Sequence, residues 1–426
     1  MKPLKIAMAG LGTVGGGVVK ALANPELATR AGRGLQIVAV SARDRAKDRG
    51  FDSSDFAWTS DAVALAKSDA DVVVELIGGE DGIALELVEA ALAARKHVVT
   101  GNKALLAKHG ARLAALAEAN GVALKFEAAV AGGIPIVRAL RESLIAYGVE
   151  TVRGILNGTC NYILTQMEAT GRSFAEVLKE AQALGYAEAD PALDVGGGDT
   201  AHKLVLLASL AFGTVPDQTN IAVEGIEAIT PEDIGFAEEF GFRIKLLGIA
   251  RRTAQGIDQR VQPSMVKAGT PLAAVDGVFN AVMANAGPAG HYFFEGRGAG
   301  EAPTALSVVA DLVDIARGDV GPAFGRPAAT LKPLVPSDPG TASSAYYLRF
   351  EVLDVPGVLA EIAGHLAESR VSIGSMVQRA RSPGEPVSIV MITHETSQAS
   401  IERALKAIAT SDKVRARPCM IPMEAA

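Results

Sequence analysis

Apolar, strand-like segments alternate with helix-like segments along the first third of the chain. The strand-like segments are apolar almost throughout, which is typical of parallel strands that are covered on both faces. We predict strands at residues 4–9, 35–40, 71–77, 97–100 and 122–130. Between them, helical periodicity predicts helices at residues 14–23, 82–94 and 104–120. This order indicates βαβ units around a parallel sheet, and hence the α/β fold class.

The hydrophobic pattern is less regular from about residue 135 to residue 315. A helix predicted at residues 200–212 is apolar on every side, which is typical of a buried helix. Strands are predicted at residues 147–156 and 242–250. We therefore expect a second, mixed α+β domain at residues 135–315.

A segment rich in proline and small residues precedes the C-terminal part. Residues 325–345 contain four prolines, and we assign a linker to residues 336–345. Beyond the linker, the predicted elements follow the order β-α-β-β-α-β of the ferredoxin-like fold. They lie at residues 346–352, 357–369, 371–379, 387–393, 401–410 and 414–421.

Composition and charge narrow the class of protein. The 426 residues suffice for two to four domains, at roughly 100–200 residues each. Apolar residues make up 49% and charged residues 21%, which argues against long intrinsic disorder. The formal net charge is −7 and no basic run occurs, so neither a nucleic acid nor an anionic membrane is an expected partner.

Targeting and redox features favour a cytoplasmic protein. Cys160 and Cys419 are too far apart in sequence for a disulfide framework or a CxxC zinc site, and they fit a reducing compartment. The longest apolar run is far shorter than the roughly 20 residues that a bilayer requires. An apolar run after Lys5 superficially resembles a signal peptide, but its patterned glycines and the lack of a small-residue cleavage site argue against one.

The motif "GLGTVG" places Gly10, Gly12 and Gly15 between the first predicted strand and the first helix. In this context the G-x-G-x-x-G pattern predicts a dinucleotide site rather than a glycine-rich turn without a ligand. The first glycine permits a tight turn, the second lets a pyrophosphate approach the backbone, and the third allows close helix–strand packing. We therefore expect a Rossmann-type domain at residues 1–134, completed by residues 316–335.

The end of the second predicted strand bears on cofactor choice. An NAD-selective fold usually has an acidic residue there, for the ribose 2′-hydroxyl. Here Ser41 and Ala42 occupy the tip, and Arg43 opens a cationic loop that suits a 2′-phosphate. This pattern favours NADP as the cofactor. NAD stays an alternative because Asp44 is nearby, and the loop is alternatively an ordinary run of solvated charges.

Acidic residues precede the predicted buried helix. Asp199 and Lys203 are four residues apart and share one helix face. Asp199 either caps the helix and pairs modestly with Lys203, or both line a cavity, because charges that lead into a buried helix need partners. In a cavity, a lysine is able to act as the acid or base that an alcohol dehydrogenase requires.

Three further motifs carry candidate residues. Lys103 follows the carboxyl end of a predicted parallel strand, where such sheets bind ligands, although a loop lysine is also commonly solvated. Cys160 is either a nucleophile or, since no histidine is near it in sequence, a buried structural cysteine. Gly298 and Gly300 form a second glycine-rich loop ahead of a helix. The loop either approaches the cofactor or, together with Pro303 near the helix start, caps the helix.

In this combination and order, the motifs resemble those of the homoserine dehydrogenase family along almost the full length. The matching segments are "GLGTVG", "GNKALLA", "FEAAVAGGIPI", "LNGTCNYIL", "GYAEADPALDVGGGDTAHK" and "GRGAGEAPTA". The resemblance implies reversible, NAD(P)H-dependent reduction of L-aspartate 4-semialdehyde to L-homoserine, a step toward threonine and methionine. No kinase-like segment precedes the dehydrogenase, so the resemblance is to the monofunctional type.

The resemblance also implies roles for individual residues. Lys203 is expected to donate the proton in reduction and to accept it in oxidation. Asp199 and Glu188 are expected to bind the amino and hydroxyl groups of the substrate, and Lys103 to contact the cofactor and the substrate region. The residues expected at the cofactor are Gly10, Gly12, Thr13, Val14, Gly15, Arg43, Lys103 and Gly300. A structural sodium ion is expected at Glu127 and the carbonyl groups of Val130, Gly132 and Ile134.

The C-terminal unit, residues 346–426, resembles an ACT domain, a module that senses small ligands. Its segment "DVPGVLAEIAGHL" matches the strand–turn–helix where such domains often bind amino acids. We expect L-threonine as the effector, and a unit that is separable from catalysis. We also expect a homodimer or a homotetramer. As the alternative to a regulatory role, the C-terminal unit only mediates assembly of the subunits.

Two other functions compete with this interpretation. Aspartate-semialdehyde dehydrogenase chemistry needs an acylating cysteine with a base partner, and Cys160 has no visible partner in sequence. A nonenzymatic amino-acid sensor would keep a degenerate dinucleotide domain. The intact glycine pattern and the Asp199–Lys203 pair argue against the sensor.

Overall fold

The computed structural model describes residues 2–379 and 386–424. The strands of its first unit are β1 (Leu4–Ala9), β2 (Leu35–Ser41), β3 (Ala57–Thr59), β4 (Val72–Glu75), β5 (His97–Thr100) and β6 (Leu124–Lys125). Its helices are α1 (Thr13–Leu22), α2 (Glu26–Ala31), α3 (Ile83–Ala93) and α4 (Lys103–Ala119). All strands pair in parallel in the order β3-β2-β1-β4-β5-β6, which is the Rossmann order. The predicted α/β class and Rossmann-type sheet are therefore confirmed.

The last strand of this sheet is shorter than the strand predicted at residues 122–130. Only Leu124 and Lys125 pair with β5, and a 3₁₀ turn follows at Glu127–Ala129. The Glu127 carboxylate accepts hydrogen bonds from the backbone N–H groups of Val137 and Arg138, at 3.0 and 2.8 Å. The apolar pattern continues past Lys125 because these residues are buried, although they are no longer extended.

A helix from later in the chain completes the core of the first unit. Helix α11 (Glu301–Arg317) packs against α1 and buries Ala305, Val308, Val309, Leu312 and Ile315 together with apolar residues of β1, β2 and β4. Helix α11, although it lies within the residues 135–315 expected in the second domain, thus already packs on the first unit ahead of the segment 316–335 that was expected to complete it. Residues 316–335 also contact this unit, for example through the Asp319–Lys125 ion pair at 2.5 Å.

The second unit is mixed, as predicted. Its strands are β7 (Thr151–Ile155), β8 (Ala222–Val223), β9 (Phe242–Arg252), β10 (Ile257–Lys267), β11 (Phe279–Asn285) and β12 (His291–Arg297). Its helices are α5 (Ile136–Arg138), α6 (Gly158–Thr170), α7 (Phe174–Ala183), α8 (Ala192–Val195), α9 (Gly198–Phe212) and α10 (Pro231–Glu239). Helix α9 is buried along its length beyond the first turn, as its apolar pattern predicts. None of the helices in the described ranges is long and apolar enough to cross a bilayer.

The third unit has the predicted order of elements. They are β13 (Ser343–Leu353), α12 (Val358–Glu368), β14 (Ile373–Val377), β15 (Pro386–Thr393), β16 (Thr396–Ser397), α13 (Gln398–Ile408) and β17 (Cys419–Glu424). The strand order β17-β13-β15-β14 is antiparallel throughout, which is the ferredoxin-like arrangement. The strands predicted at residues 371–379 and 387–393 correspond to β14 and β15. Residues 380–385, between them, lie outside the described residues.

The second and third units share one sheet. Strand β17 pairs with β13 on one side and, in parallel, with the end of β10 on the other. The segment expected to be a linker also pairs with the second unit, since the Ile257 N–H donates to the Val335 carbonyl and the Ser337 N–H donates to the Ile257 carbonyl. The C-terminal unit is therefore joined to the second unit by backbone pairing, and its separability from catalysis stays a prediction.

Candidate active site

Three charged side chains meet where α9 begins. The Lys203 Nζ lies 2.7 Å from Asp199 Oδ2, and the Lys103 Nζ lies 3.1 Å from Asp199 Oδ1. Asp199 and Lys203 face each other because they are one turn apart, and Lys103 reaches them from the start of α4. The structure thus brings together the two lysines and the aspartate that were predicted as site residues.

The aspartate at the centre of this group is held in its charged form. Burial favours the neutral acid, but the cations of Lys203 and Lys103 outweigh it and lower the pKa of Asp199 well below its usual range. The Lys203 ammonium also donates to the Leu156 carbonyl at 2.6 Å. Two fixed acceptors therefore orient the Lys203 Nζ beside the cleft.

Asn157, which we did not single out in the sequence, connects Asp199 to a second carboxylate. Its Nδ2 donates to Asp199 Oδ2 at 2.9 Å and to Asp194 Oδ1 at 2.7 Å. Its Oδ1 accepts from the Cys160 N–H at 2.8 Å and so caps α6. An asparagine directly after a strand and three residues before a buried helical residue was the available sequence signal.

Cys160 serves this arrangement as a structural residue. Its thiol donates to the Asp194 carbonyl at 3.2 Å, and burial with nearby carboxylates raises the pKa of the Cys160 thiol well above its ordinary value. A thiol in this state is a poor nucleophile. The geometry therefore argues against the acylating chemistry of an aspartate-semialdehyde dehydrogenase.

The charged group opens into a cleft of about 550 Å³ between the first and second units. Lys103, Asp199 and Lys203 line it. Glu188, which lies on an exposed loop, and Gly300 line the cleft as well. The cleft therefore gathers every predicted substrate-binding residue and two of the predicted cofactor residues, Lys103 and Gly300.

A buried carboxylate, Glu75, supports the loop that carries Lys103. Its oxygens accept from the Thr100 hydroxyl at 2.6 Å and from the Ile77 N–H at 2.7 Å. Thr100 in turn accepts from the Asn102 N–H, and the Asn102 side chain caps α4. Sequence reasoning missed Glu75 because an acid inside an apolar strand gives no sign of which loop it will hold.

The glycine-rich turn has the geometry that its motif predicts. Gly10 has a φ of +99°, and a Cβ there would lie 2.5 Å from the Leu76 carbonyl oxygen. A Cβ at Gly15 would lie 2.1 Å from the Gly10 oxygen, so α1 packs directly on the turn. A Cβ at Gly12 would meet nothing within 4 Å, so this position faces open space beside the α1 N-terminus, where Thr13 and Val14 follow. The turn is therefore open where a pyrophosphate would lie.

The end of β2 lies beside this turn. The Gly10 N–H donates to the Ser41 carbonyl at 2.9 Å. Arg43 follows Ser41 by two residues and therefore lies near the glycine-rich turn. Arg43 is exposed and makes no ion pair within the described part of the chain. Arg49, by contrast, donates to the Leu11 carbonyl and lies over the Trp58 ring, 5.4 Å from its centroid. Arg43 thus stays available for a ligand, as does Lys47, which is also exposed.

The residues expected at a sodium ion surround the turn after β6. Glu127 is buried, and its carboxylate already accepts the two backbone N–H groups described above. The Gly132 carbonyl accepts from the Ser307 hydroxyl, and the Ile134 carbonyl accepts from the Ile136 N–H at 2.8 Å. Val130 is buried beside them. Each of these oxygens has a second lone pair, and an all-oxygen set suits a hard cation.

A separate cavity of about 390 Å³ lies in the third unit, at the turn between β13 and α12. It is lined by the loop from Asp354 to Gly357 and, across the cavity, by Gln378. Gly357 has a φ of +92° and precedes the first residue of α12. The backbone N–H groups at this helix start suit a carboxylate.

Comparison with known proteins agrees with this geometry. Residues 10–127 match the family described as homoserine dehydrogenase, NAD binding domain, residues 135–313 match homoserine dehydrogenase, and residues 346–410 match the ACT domain. The homoserine dehydrogenase of Neisseria gonorrhoeae is 45% identical over 435 residues, covering 100% of this chain and 99% of the relative. That of Pseudomonas aeruginosa is 45% identical over 421 residues, covering 96% of each. The crystal structure of a homoserine dehydrogenase from Thiobacillus denitrificans has a TM-score of 0.94 at 43% identity, covering 100% of this chain and 99% of that chain.

Proposed function

The chain belongs to the homoserine dehydrogenase family, and from that premise we propose that Lys203 exchanges the proton with the substrate oxygen. The enzyme is an NAD(P)-dependent oxidoreductase that interconverts L-aspartate 4-semialdehyde and L-homoserine. The observation that carries the proposal is the Lys103–Asp199–Lys203 group on the wall of the cleft. A lysine next to a permanently charged carboxylate, facing a cleft, is suited to proton transfer.

In the proposed mechanism, each residue has one task. A bound nicotinamide supplies the hydride for reduction and takes it up in oxidation. As the aldehyde carbon gains the hydride, negative charge develops on its oxygen, and the Lys203 ammonium donates the proton that completes the alcohol. In oxidation the neutral Lys203 amine accepts the hydroxyl proton. Asp199 and Glu188 hold the substrate's polar groups, and the Lys103 cation stabilises the developing oxyanion.

The overall activity has a direct test. Purified protein with L-homoserine and NADP or NAD is expected to form reduced nicotinamide, detected by its ultraviolet absorbance. Phosphate-dependent oxidation of L-aspartate 4-semialdehyde to an acyl phosphate is not expected, because it requires acylation of a cysteine and the Cys160 thiol is buried and donates to the Asp194 carbonyl. Cofactor binding without turnover would instead support the sensor function.

We place the cofactor at the glycine-rich turn and predict a preference for NADP. The residues that fit it are Gly10, Gly12 and Gly15 at the turn, the α1 N-terminus at Thr13 and Val14, and Arg43 at the end of β2. The open space at Gly12 and the uncommitted guanidinium of Arg43 support this placement. A guanidinium pairs with a phosphate through two parallel hydrogen bonds. NAD has no 2′-phosphate to accept them.

Arg43→Ala is expected to weaken NADP binding by about tenfold to a hundredfold and NAD binding by less than about twofold. The measurement is quenching of the fluorescence of Trp58, the single tryptophan of the chain, which lies beside the same loop. Arg30→Ala is the matched control, since Arg30 is an exposed arginine on α2 that pairs with Glu26. Equal losses for both cofactors would show that Arg43 contacts a part that they share.

We predict that a structural sodium ion binds Glu127 and the carbonyls of Val130, Gly132 and Ile134. Sodium chloride is then expected to raise the melting temperature more than tetramethylammonium chloride at the same ionic strength. Saturating a site at about 100 times its dissociation constant adds about 2.7 kcal/mol of stability. Glu127→Gln is expected to abolish the difference between the two salts, because it removes the charged ligand. The same response to both salts in the unsubstituted enzyme would contradict the sodium site.

L-Threonine is predicted to bind at the turn before α12 and to inhibit the enzyme at millimolar concentration. The effector must bind two states of the enzyme with different affinity, typically by about 1–3 kcal/mol. Gly357→Val is expected to raise the inhibitory concentration by about tenfold, because a β-branched residue does not adopt the φ of +92°. Gly364→Ala, on the exposed side of the same helix, is the control that should leave inhibition unchanged. Full indifference to threonine would count against the effector.

Assembly and location stay predictions. We propose a homodimer or a homotetramer, which analytical ultracentrifugation distinguishes. The two cysteines are unpaired in the structure, which supports the proposed reducing, cytoplasmic compartment.

A further inference from the structure

Val278 and Asn280, in the segment of residues 275–280, line the substrate cleft beside the start of α6, and two buried side chains hold this segment. We propose that Asn161 and Lys245 are positioning residues that fix this segment against α6 and thereby set the shape of the cleft. The inference rests on the homoserine dehydrogenase activity. It adds two residues that touch neither the reacting group nor the glycine-rich turn.

Asn161 fastens the segment to α6. Its side chain is buried, and its Nδ2 is shared between the backbone carbonyls of three alternate residues of the segment. The acceptor carbonyls are those of Val275 at 3.2 Å, Gly277 at 2.9 Å and Phe279 at 3.2 Å. Asn161 is the last polar residue of the motif "LNGTCN", whose other asparagine binds Asp199. One helix turn therefore joins the catalytic group to this wall.

Lys245 fastens the same segment to the central sheet. It is 1% exposed, and its Nζ donates to the Val275 carbonyl at 2.6 Å and to Asn161 Oδ1 at 3.3 Å. Asp276 Oδ1 lies 3.3 Å from the same ammonium. Arg243, two residues earlier on the same face of β9, donates to the Ala273 carbonyl at 2.7 Å. Two cations of one strand thus clamp the segment at its start.

The segment in turn limits the space available at two glycines of the cleft. A Cβ at Gly158, the first residue of α6, would lie 2.7 Å from the Val278 carbonyl oxygen. A Cβ at Gly298 would lie 2.1 Å from Asn280 Cγ. Val278 and Asn280 line the cleft together with both glycines. A displacement of the segment would therefore move the α6 start and the second glycine-rich loop relative to Lys203.

Asn280 also indicates that this wall is completed by a ligand. Its side chain is buried, and neither its Oδ1 nor its Nδ2 has a hydrogen-bond partner among the described residues. A buried amide without partners is costly, and native structures keep few of them. At the floor of a ligand cleft the missing partner is expected to come from the bound molecule. The placement of residues 275–280 is then a determinant of substrate affinity.

Lys245→Met and Asn161→Asp are the variants that test the proposal. Methionine keeps the length of Lys245 without its donors, and aspartate keeps the acceptor for Lys245 while losing the Nδ2 donors. Each is expected to raise the KM for L-homoserine by about tenfold while kcat and the KM for the nicotinamide cofactor change by less than about twofold. Because both act on one segment, the double variant should raise KM by less than the product of the single effects.

A matched control and a milder variant keep the outcome decisive. Lys96 likewise donates to two loop carbonyls, those of Ser68 and Ala70, at the opposite edge of the first sheet, so Lys96→Met should leave the KM for L-homoserine unchanged. Thr165→Val removes the hydrogen bond from the Gly277 N–H, at 3.2 Å, and the one that the Thr165 hydroxyl donates to the Asn161 carbonyl within α6, at 2.7 Å. It leaves the bonds of the Asn161 and Lys245 side chains in place, so it should raise KM less, even if the other variants fold poorly. An unchanged KM in Thr165→Val and in whichever of the stronger variants folds would overturn the proposal, as would equal losses of kcat and cofactor affinity. Absence of homoserine oxidation in the unsubstituted enzyme would instead refute the function.

Discussion

Lys203→Met is expected to lower kcat for homoserine oxidation by about 10²–10⁴-fold, the usual contribution of one positioned acid or base. The ammonium is bonded to Asp199 and to the Leu156 carbonyl, so its position is set before substrate binds. Methionine has a similar length but no proton to exchange. Affinity for NADP should change by less than about twofold, since Lys203 lies away from the glycine-rich turn. Steady-state turnover and Trp58 quenching measure the two quantities separately.

Two other lysines of the same region make this test specific. Lys108→Met, on the exposed face of α4 where Lys108 pairs with Glu80, should retain normal turnover. Lys103→Met should show the smaller loss, because Lys103 is the more exposed lysine and contacts the other carboxylate oxygen. A Lys203→Met enzyme with more than about a tenth of normal turnover would exclude Lys203 as the acid. A larger loss in Lys103→Met would assign the proton transfer to Lys103.

The parts of the site that depend on local geometry were predictable from the sequence. Asp199 and Lys203 share a face because a helix returns to the same side after four residues. Lys103 follows the carboxyl end of a parallel strand, where such sheets bind ligands, and the family resemblance placed it near the substrate region. Asn157 and Glu75 were not predictable in the same way. Their partners lie 42 and 25 residues away in sequence, so only the folded chain shows which groups they satisfy.

Strand β10 and the backbone pairing of the segment before β13 escaped prediction for physical reasons. Strand β10 contains Asp258 and Arg260, charges that a hydrophobicity pattern assigns to the surface. In the structure both are buried, and they neutralise each other at 2.8 Å. Likewise the proline-rich segment before β13 reads as a linker, although its backbone pairs with β10 at Ile257. Tertiary pairing thus overrides composition at the junction of the second and third units.

Asp233 on α10 is the buried charge that joins these two units, and its replacement is expected to cause the largest loss of stability. Asp233 Oδ1 lies 2.7 Å from the Arg349 Nε and accepts from the Tyr347 hydroxyl at 3.0 Å, and both partners belong to β13. Its side chain is fully buried, whereas that of Arg349 is 14% exposed. A chain ending near residue 339 would lose both partners and the strand that pairs with β10. We therefore expect such a chain to be destabilised rather than simply insensitive to threonine.

Asp233→Asn is expected to lower the free energy of unfolding by about 3–5 kcal/mol, because it removes the buried partner of the Arg349 guanidinium and leaves Glu232, an exposed carboxylate 3.7 Å away, to balance the charge. Glu239→Gln is the matched control: Glu239 lies on the same helix and also pairs across the junction, with Arg379, but both side chains are exposed. Its loss should stay below about 1 kcal/mol. Thermal or urea unfolding measures both variants, and equal losses would refute the role given to Asp233.

The pH dependence of the difference in unfolding free energy between the unsubstituted enzyme and Asp233→Asn provides an independent check of the role of Asp233. Burial favours the neutral acid, but the hydrogen bonds from Arg349 and Thr230 outweigh it and hold the pKa of Asp233 below its ordinary value of 3.8. A carboxylate with a lowered pKa in the folded state stabilises the fold at neutral pH and loses that contribution as the pH falls through the lowered pKa. The stability difference between the unsubstituted enzyme and Asp233→Asn should therefore be constant near neutrality and shrink in acid. A difference that grew on acidification would mean that Asp233 is neutral in the folded enzyme.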